Sequence, residues 1–142
     1  MISFLYMKKI LKQPLFTETI LLALLVATIH WTAEIYDLYF LISKLDILMH
    51  FLGGLLIGLI ILALLFVRGL FGFAHTHNGV VIMTTLIGVL LVGLGWELFE
   101  VFFDITAINK INMLDTLSDL VMDLIGAGVA LWWYYVMVWS KG

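Results

Sequence analysis

The chain has 142 residues, of which 64% are hydrophobic and 12% charged, with a formal net charge of −3 and no cysteine. At a mean hydropathy of +1.18 it is too apolar to be solvated as a soluble domain, yet long enough to cross a hydrocarbon layer of roughly 30 Å several times. Disulfides, thiolate metal sites and thiol nucleophiles are excluded, and without a basic patch interleaved with aromatics no nucleic-acid partner is expected.

Residues 1–14 read as an amphipathic interfacial segment. Lys8, Lys9 and Lys12 alternate with Ile2, Phe4, Leu5, Ile10 and Leu11, a pattern that lays a helix on the membrane surface with its ammonium groups reaching lipid phosphates, and Pro14 ends it. A basic start before an apolar run also fits a signal peptide, but no small-x-small cleavage site follows. Residues 15–142 then form a transmembrane domain with spans at about 15–35, 47–67, 80–103 and 117–139. The apolar runs are continuous rather than alternating, which disfavours strands, and connections of roughly eleven residues predict neighbouring antiparallel helices. The expected fold class is all-α, a four-transmembrane-helix up-down bundle.

Basic residues orient such a bundle. Lys8, Lys9, Lys12, Arg68 and Lys141 fall on one side and Lys44 and Lys110 on the other, so both termini are expected in the cytoplasm of a prokaryotic cell. The acids Glu34, Asp37, Asp46, Asp104, Asp115 and Asp119 then lie at the outer surface.

Gly93-Leu94-Gly95-Trp96-Glu97-Leu98-Phe99-Glu100 places two carboxylates inside the third span. Ionisable groups there are costly and normally face a protein interior or a wet cavity. Helical spacing supplies partners from every other span. Ala23, Ala27, His30 and Glu34 share one face, as do Asp46, His50, Gly54 and Gly58; Gly93, Glu97, Glu100 and Asp104; and Asp115, Asp119, Asp123, Ala127 and Ala130. At 1.5 Å per residue Glu97 lies roughly 10 Å inward of Asp104, while His50 and Asp123 lie about 6 Å inward of Asp46 and Asp119. Glu97, His50 and Asp123 are therefore expected in one layer. Asp46, Glu100 and Asp119 form a second, nearer the surface, with His30 and Glu34 approaching it.

A structural reading competes with this one. Acids at helix N-termini act as caps, so Asp46, Ser118 and Asp119 would merely start spans two and four. Capping fails for Glu97, Glu100 and Asp104, which stand at the disfavoured C-terminal end, and for Asp123, which lies past the first turn. So many carboxylates in a low dielectric need a cation or must be protonated. The expected metal ligands are His50, Glu97, Asp123 and Asp46, binding a divalent ion such as Zn, Mn or Fe, with Glu100 and Asp119 as catalytic bases. The spacing departs from the Glu-x-x-His motif of di-metal carboxylate bundles.

Three short motifs carry a family resemblance: Asp46-Ile47-Leu48-Met49-His50-Phe51-Leu52-Gly53, Trp96-Glu97-Leu98-Phe99-Glu100, and Asp115-Thr116-Leu117-Ser118-Asp119-Leu120-Val121-Met122-Asp123 running on to Gly126-Ala127. Their order and separation resemble the VanZ-like membrane proteins, and more closely the YjdF-type inner-membrane proteins, over spans two to four. The resemblance maps its Asp and His onto Asp46 and His50, its acid pair onto Glu97 and Glu100, and its Asp-x-x-Ser-Asp onto Asp115, Ser118 and Asp119. VanZ-like members more often have Gln at the position of Glu100 and Asn at that of Asp123, so the present site is more anionic. VanZ itself is associated with glycopeptide antibiotic resistance, and YjdF-type proteins have no assigned reaction.

Two functions follow as expectations. One is a metal-dependent hydrolase or transferase acting on a lipid or lipid-linked envelope substrate; the other is a non-catalytic ion- or proton-binding module, a transporter fragment or a subunit of a membrane complex. Membrane lipids are expected partners, and the glycine faces also suit a homodimer. His75 and His77 read as a polar turn, Trp132, Trp133, Tyr134, Tyr135 and Trp139 as an interfacial belt. A haem or quinone site on His30 and His50 is disfavoured by the surrounding acids.

Overall fold

A computed structural model describes residues 15–42, 44–67, 77–103 and 113–137. The interfacial segment 1–14, together with Asp104, His75 and Trp139, lies outside them. The described chain is all-helical: α1 Phe16–Ile35, a single turn α2 Leu38–Leu41, α3 Leu45–Ile61 continuing as the π-helical turn Leu62–Val67, α4 Asn78–Phe103 and α5 Met113–Met137. In a bilayer every backbone N–H and C=O must be satisfied within the chain, and continuous apolar runs without proline do so as helices. Four of the helices are long and apolar enough to cross a membrane: Phe16–Ile35, Leu45–Val67, Asn78–Phe102 and Met113–Met137.

The helices begin earlier than the apolar runs suggest. α3 includes Asp46, α4 takes in Asn78 and Gly79, which read as loop in the sequence, and α5 starts before Asp115. Polar residues thus occupy first turns that hydropathy alone leaves out. The capping alternative fails for Ser118 and Asp119, which lie past the first turn of α5, whereas Asp46 stands in the first turn of α3, where the helix dipole favours it. Lys44 precedes α3 without a side-chain cap bond, and Ser118 Oγ donates backward to Leu114 O at 2.8 Å instead of capping α5. α1 starts one residue later than expected, because Leu15 takes a left-handed φ of 71° with its side chain wholly buried.

α3 and α5 form the tightest pair of helices, and glycine is the reason. A Cβ on Gly54 would collide with the backbone of Asp123, and one on Gly126 with Phe51 O and Leu55 N. Removing two side chains lets the backbones approach, which is how bilayer helices gain packing energy where lipid already supplies an apolar surrounding. α4 packs beside this pair; α1 rests on α3 at the periphery, with Ala33 its fully buried residue.

The interior has two halves. Leu15, Leu59, Leu62, Ala63, Phe66, Val81, Ala130, Leu131 and Tyr134 make an apolar core at one end of the bundle. The other end holds the C-termini of α1 and α4 and the N-termini of α3 and α5. Two expectations need correction. The stripe of α1 is split: Ala23 and His30 are half-buried while Ala27 and Glu34 are exposed, because the contact with the bundle is centred on Ala33. In the aromatic belt Trp132 is exposed, but Tyr134 is buried in the core and Tyr135 donates to Asn78 O at 3.5 Å, because consecutive helical residues cannot all face lipid.

Candidate metal centre

His50 stands at the middle of the polar end. The i,i+4 spacing of α3 carries it one turn inward of Asp46, and the close α3–α5 approach brings the equivalent pair, Asp119 and Asp123, alongside. Its Nδ1 lies 3.4 Å from Asp123 Oδ2, and its Nε2 lies 3.7 Å from Glu97 Oε1 and 3.9 Å from Asp46 Oδ1. One imidazole is therefore faced by carboxylates from three helices. The expected inner layer of Glu97, His50 and Asp123 is brought together.

Asp46, His50 and Asp119 each offer a ligand atom within 4.8 Å of the other two, and this group can hold a metal ion. His50 and Asp119 are buried, at 6% and 3% exposure, whereas the Asp46 side chain is 42% exposed and leaves the group open on one side. Two buried carboxylate oxygens near His50, Glu97 Oε1 and Asp119 Oδ1, accept no hydrogen bond among the described residues. Buried acceptors are normally paired, and leaving one bare costs about 1–3 kcal/mol, more when it is charged. A bound cation can satisfy several such oxygens at once, and protonation can relieve them one at a time.

Asp119 thus belongs with Asp46 and His50 as a potential ligand, and it is buried although its place in the sequence assigns it to the layer nearer the surface. Glu100 is spoken for differently: its Oε1 accepts the indole N–H of Trp96 at 2.7 Å. Asp115 and Glu34 are exposed, and Glu34 does not join the group.

His30 takes part in a neighbouring arrangement. Its Nδ1 lies 2.8 Å from the Tyr39 hydroxyl, and its ring meets Trp96 edge-on at 6.3 Å. Burial, and then the nearby carboxylates of Asp46, Glu34 and Glu100, push the Tyr39 phenol up to about 12, so it is a hydroxyl at any physiological pH. Sequence reading passes over Tyr39 because it lies in the connection between spans, on the single turn α2. The Trp96–Glu100 bond does have a sequence signal, the four-residue separation on one helix.

With this geometry established, comparison with known proteins gives one result. Residues 1–140 match a family described as a predicted membrane protein, DUF2238. The chain belongs to that family. Neither the curated proteins nor the solved structures give a match. Membership, over nearly the whole chain and with four candidate spans, makes this an integral membrane protein of the DUF2238 family. The family description names a membrane protein and no VanZ-like or YjdF-type relationship, so that finer likeness rests on the three motifs.

Proposed function

We propose that this membrane protein binds a divalent cation through Asp46, His50 and Asp119, with Glu97 completing the set, and uses it on a lipid or lipid-linked substrate. The observation that carries this reading is the burial of Asp119 with an unpartnered Oδ1 inside a three-residue ligand group. Mixed imidazole and carboxylate donors suit Zn, Mn or Fe. The half-exposed Asp46 leaves the group open on one side, which suits a catalytic rather than a closed structural ion. Such an ion activates water or polarises a phosphoryl or carbonyl oxygen. Glu100, beside the group and held by Trp96, is the base left to accept a proton. By the distribution of basic residues the site faces the outer leaflet, where envelope lipids present their headgroups.

A second reading draws on the surplus of acid. Asp46, Glu97, Glu100, Asp119 and Asp123 surround a single buried histidine, an arrangement that also serves an ion- or proton-binding module without chemistry. Metal analysis of the purified protein decides the first step, with about one divalent ion per chain expected and its loss in His50→Ala. Turnover of labelled envelope lipids by the metal-loaded form then identifies an enzyme. Stoichiometric metal with no turnover identifies the module, and a metal-free wild type overturns the cation site.

A further inference from the structure

His50 has two faces, and they are not equivalent. On the Nδ1 side stands Asp123, with Oδ2 at 3.4 Å. On the Nε2 side stand Glu97 and Asp46, and the Glu97 oxygen closest to the ring is one of the two buried acceptors without a partner. A neutral imidazole has one N–H and one lone pair, and whatever accepts the N–H decides where the lone pair points.

Asp123 is built to be such an acceptor. Its side chain is 7% exposed, and it is confined by absent side chains on two helices. A Cβ on Gly93 of α4 would collide with its Oδ2, and one on Gly54 of α3 with its backbone, while a Cβ on Gly53 would come within 4.0 Å of its Oδ1. The carboxylate thus occupies a fixed slot behind the histidine. Asp119, one turn along α5, is the acid that shares a ligand group with Asp46 and His50. Of these two identical residues at four-residue spacing, Asp123 is the one set against Nδ1 and Asp119 the one grouped with Asp46.

Resting on the cation site proposed above, we infer that Asp123 is a positioning residue: it accepts the His50 Nδ1–H and so aims the Nε2 lone pair at the cation, and it is not itself a ligand. Metal-bound histidines commonly hand their second N–H to a carboxylate, which fixes the ring and strengthens it as a donor. The chain thereby gives its two inner α5 acids separate tasks, Asp119 on the ion and Asp123 behind the histidine.

The test uses the full chain in detergent micelles, with Zn²⁺ for affinity and ¹¹³Cd²⁺ with ¹⁵N-labelled histidine for NMR. In the wild type the His50 signals are expected to show cadmium coupled to Nε2 and a proton on Nδ1. Asp123→Asn, which keeps the size of the side chain, is expected to weaken Zn²⁺ binding 10- to 100-fold at unchanged stoichiometry. Asp119→Asn is expected to lose stoichiometric binding. Cadmium coupled to Nδ1, or loss of stoichiometric binding in Asp123→Asn, overturns the positioning role while leaving the cation site in place. Unchanged affinity in Asp123→Asn also overturns it. A wild type that binds neither ion removes the cation site and this assignment together.

Discussion

Gly54 of α3 and Asp123 of α5 meet at one point of the helix crossing, where a methyl group on the glycine would overlap the peptide of the aspartate. The contact that makes the tightest helix pair also delivers a carboxylate to His50, one turn away from Gly54 on the same helix face. Packing and site geometry are therefore one feature. Gly54→Ala is expected to force α3 and α5 apart, with an overpacking cost of about 1–3 kcal/mol and loss of metal binding. Gly95→Ala is the matched control, because a Cβ there meets nothing within 4 Å. Thermal unfolding in detergent with and without Zn²⁺ should show a lowered midpoint and no metal response for the first variant, and wild-type behaviour for the second.

Asp119 makes a prediction with two opposite signs. A buried, unpartnered carboxylate oxygen is a burden on the metal-free fold and an asset to a bound ion. Asp119→Asn removes the charge at nearly constant volume, so the metal-free protein should gain about 1 kcal/mol. The same variant should lose the stabilisation that wild type gains from metal, which is about 2.7 kcal/mol at a hundredfold excess over Kd. Paired unfolding curves with chelator and with Zn²⁺ check both signs. A variant destabilised in chelator would mean that Asp119 has a protein partner rather than an ionic one.

How much of this the sequence could tell is visible in particular residues. Asp46 and His50, and Asp119 and Asp123, were legible as faces because four-residue spacing fixes which side chains are stacked on a helix. Spacing does not say which way a stack points. Ala23, Ala27, His30 and Glu34 are equally regular, yet Ala27 and Glu34 face outward, since α1 lies at the edge and buries Ala33 instead. Nor does spacing rank residues within a stack: Glu97 turns to His50 while Glu100, three residues on, is claimed by Trp96. Tyr39 was invisible for a different reason, as a one-turn helix in a connection has no periodicity to read.

That turn carries the third prediction. The Tyr39 hydroxyl and His30 Nδ1 lie 2.8 Å apart, which links α2 to the peripheral α1. Tyr39→Phe is expected to cost about 1 kcal/mol and to alter the emission of Trp96, whose ring the His30 edge contacts. The phenol is raised from its ordinary 10.0 to about 12 by burial and then by Asp46, Glu34 and Glu100. Since the folded-state value is the higher one, this contribution is complete below pH ~10 and is lost as pH rises through 12. Unfolding of wild type and variant across that alkaline range should converge. A constant difference throughout would place the effect in packing rather than in the hydroxyl.

Proton release distinguishes an ion held by these groups from one attracted loosely to a negative surface. Asp46, His50 and Asp119 can each bind either a proton or the metal, so occupation by Zn²⁺ expels whatever protons the group carries. Titration calorimetry in buffers of different ionisation enthalpy is expected to give apparent heats that differ by the protons released, and affinity should fall steadily as pH is lowered from 7.5 to 5. Loose attraction leaves the heat independent of the buffer and is abolished by salt, because exposed charges are screened within about 8 Å at 0.15 M. Asp119 and His50 are buried, and an ion held among them is shielded from that screening. Binding at 0.5 M NaCl that persists in wild type and disappears in His50→Ala would therefore locate the ion inside the bundle, and salt-sensitive binding that His50→Ala leaves unchanged would place it on the exposed acids instead.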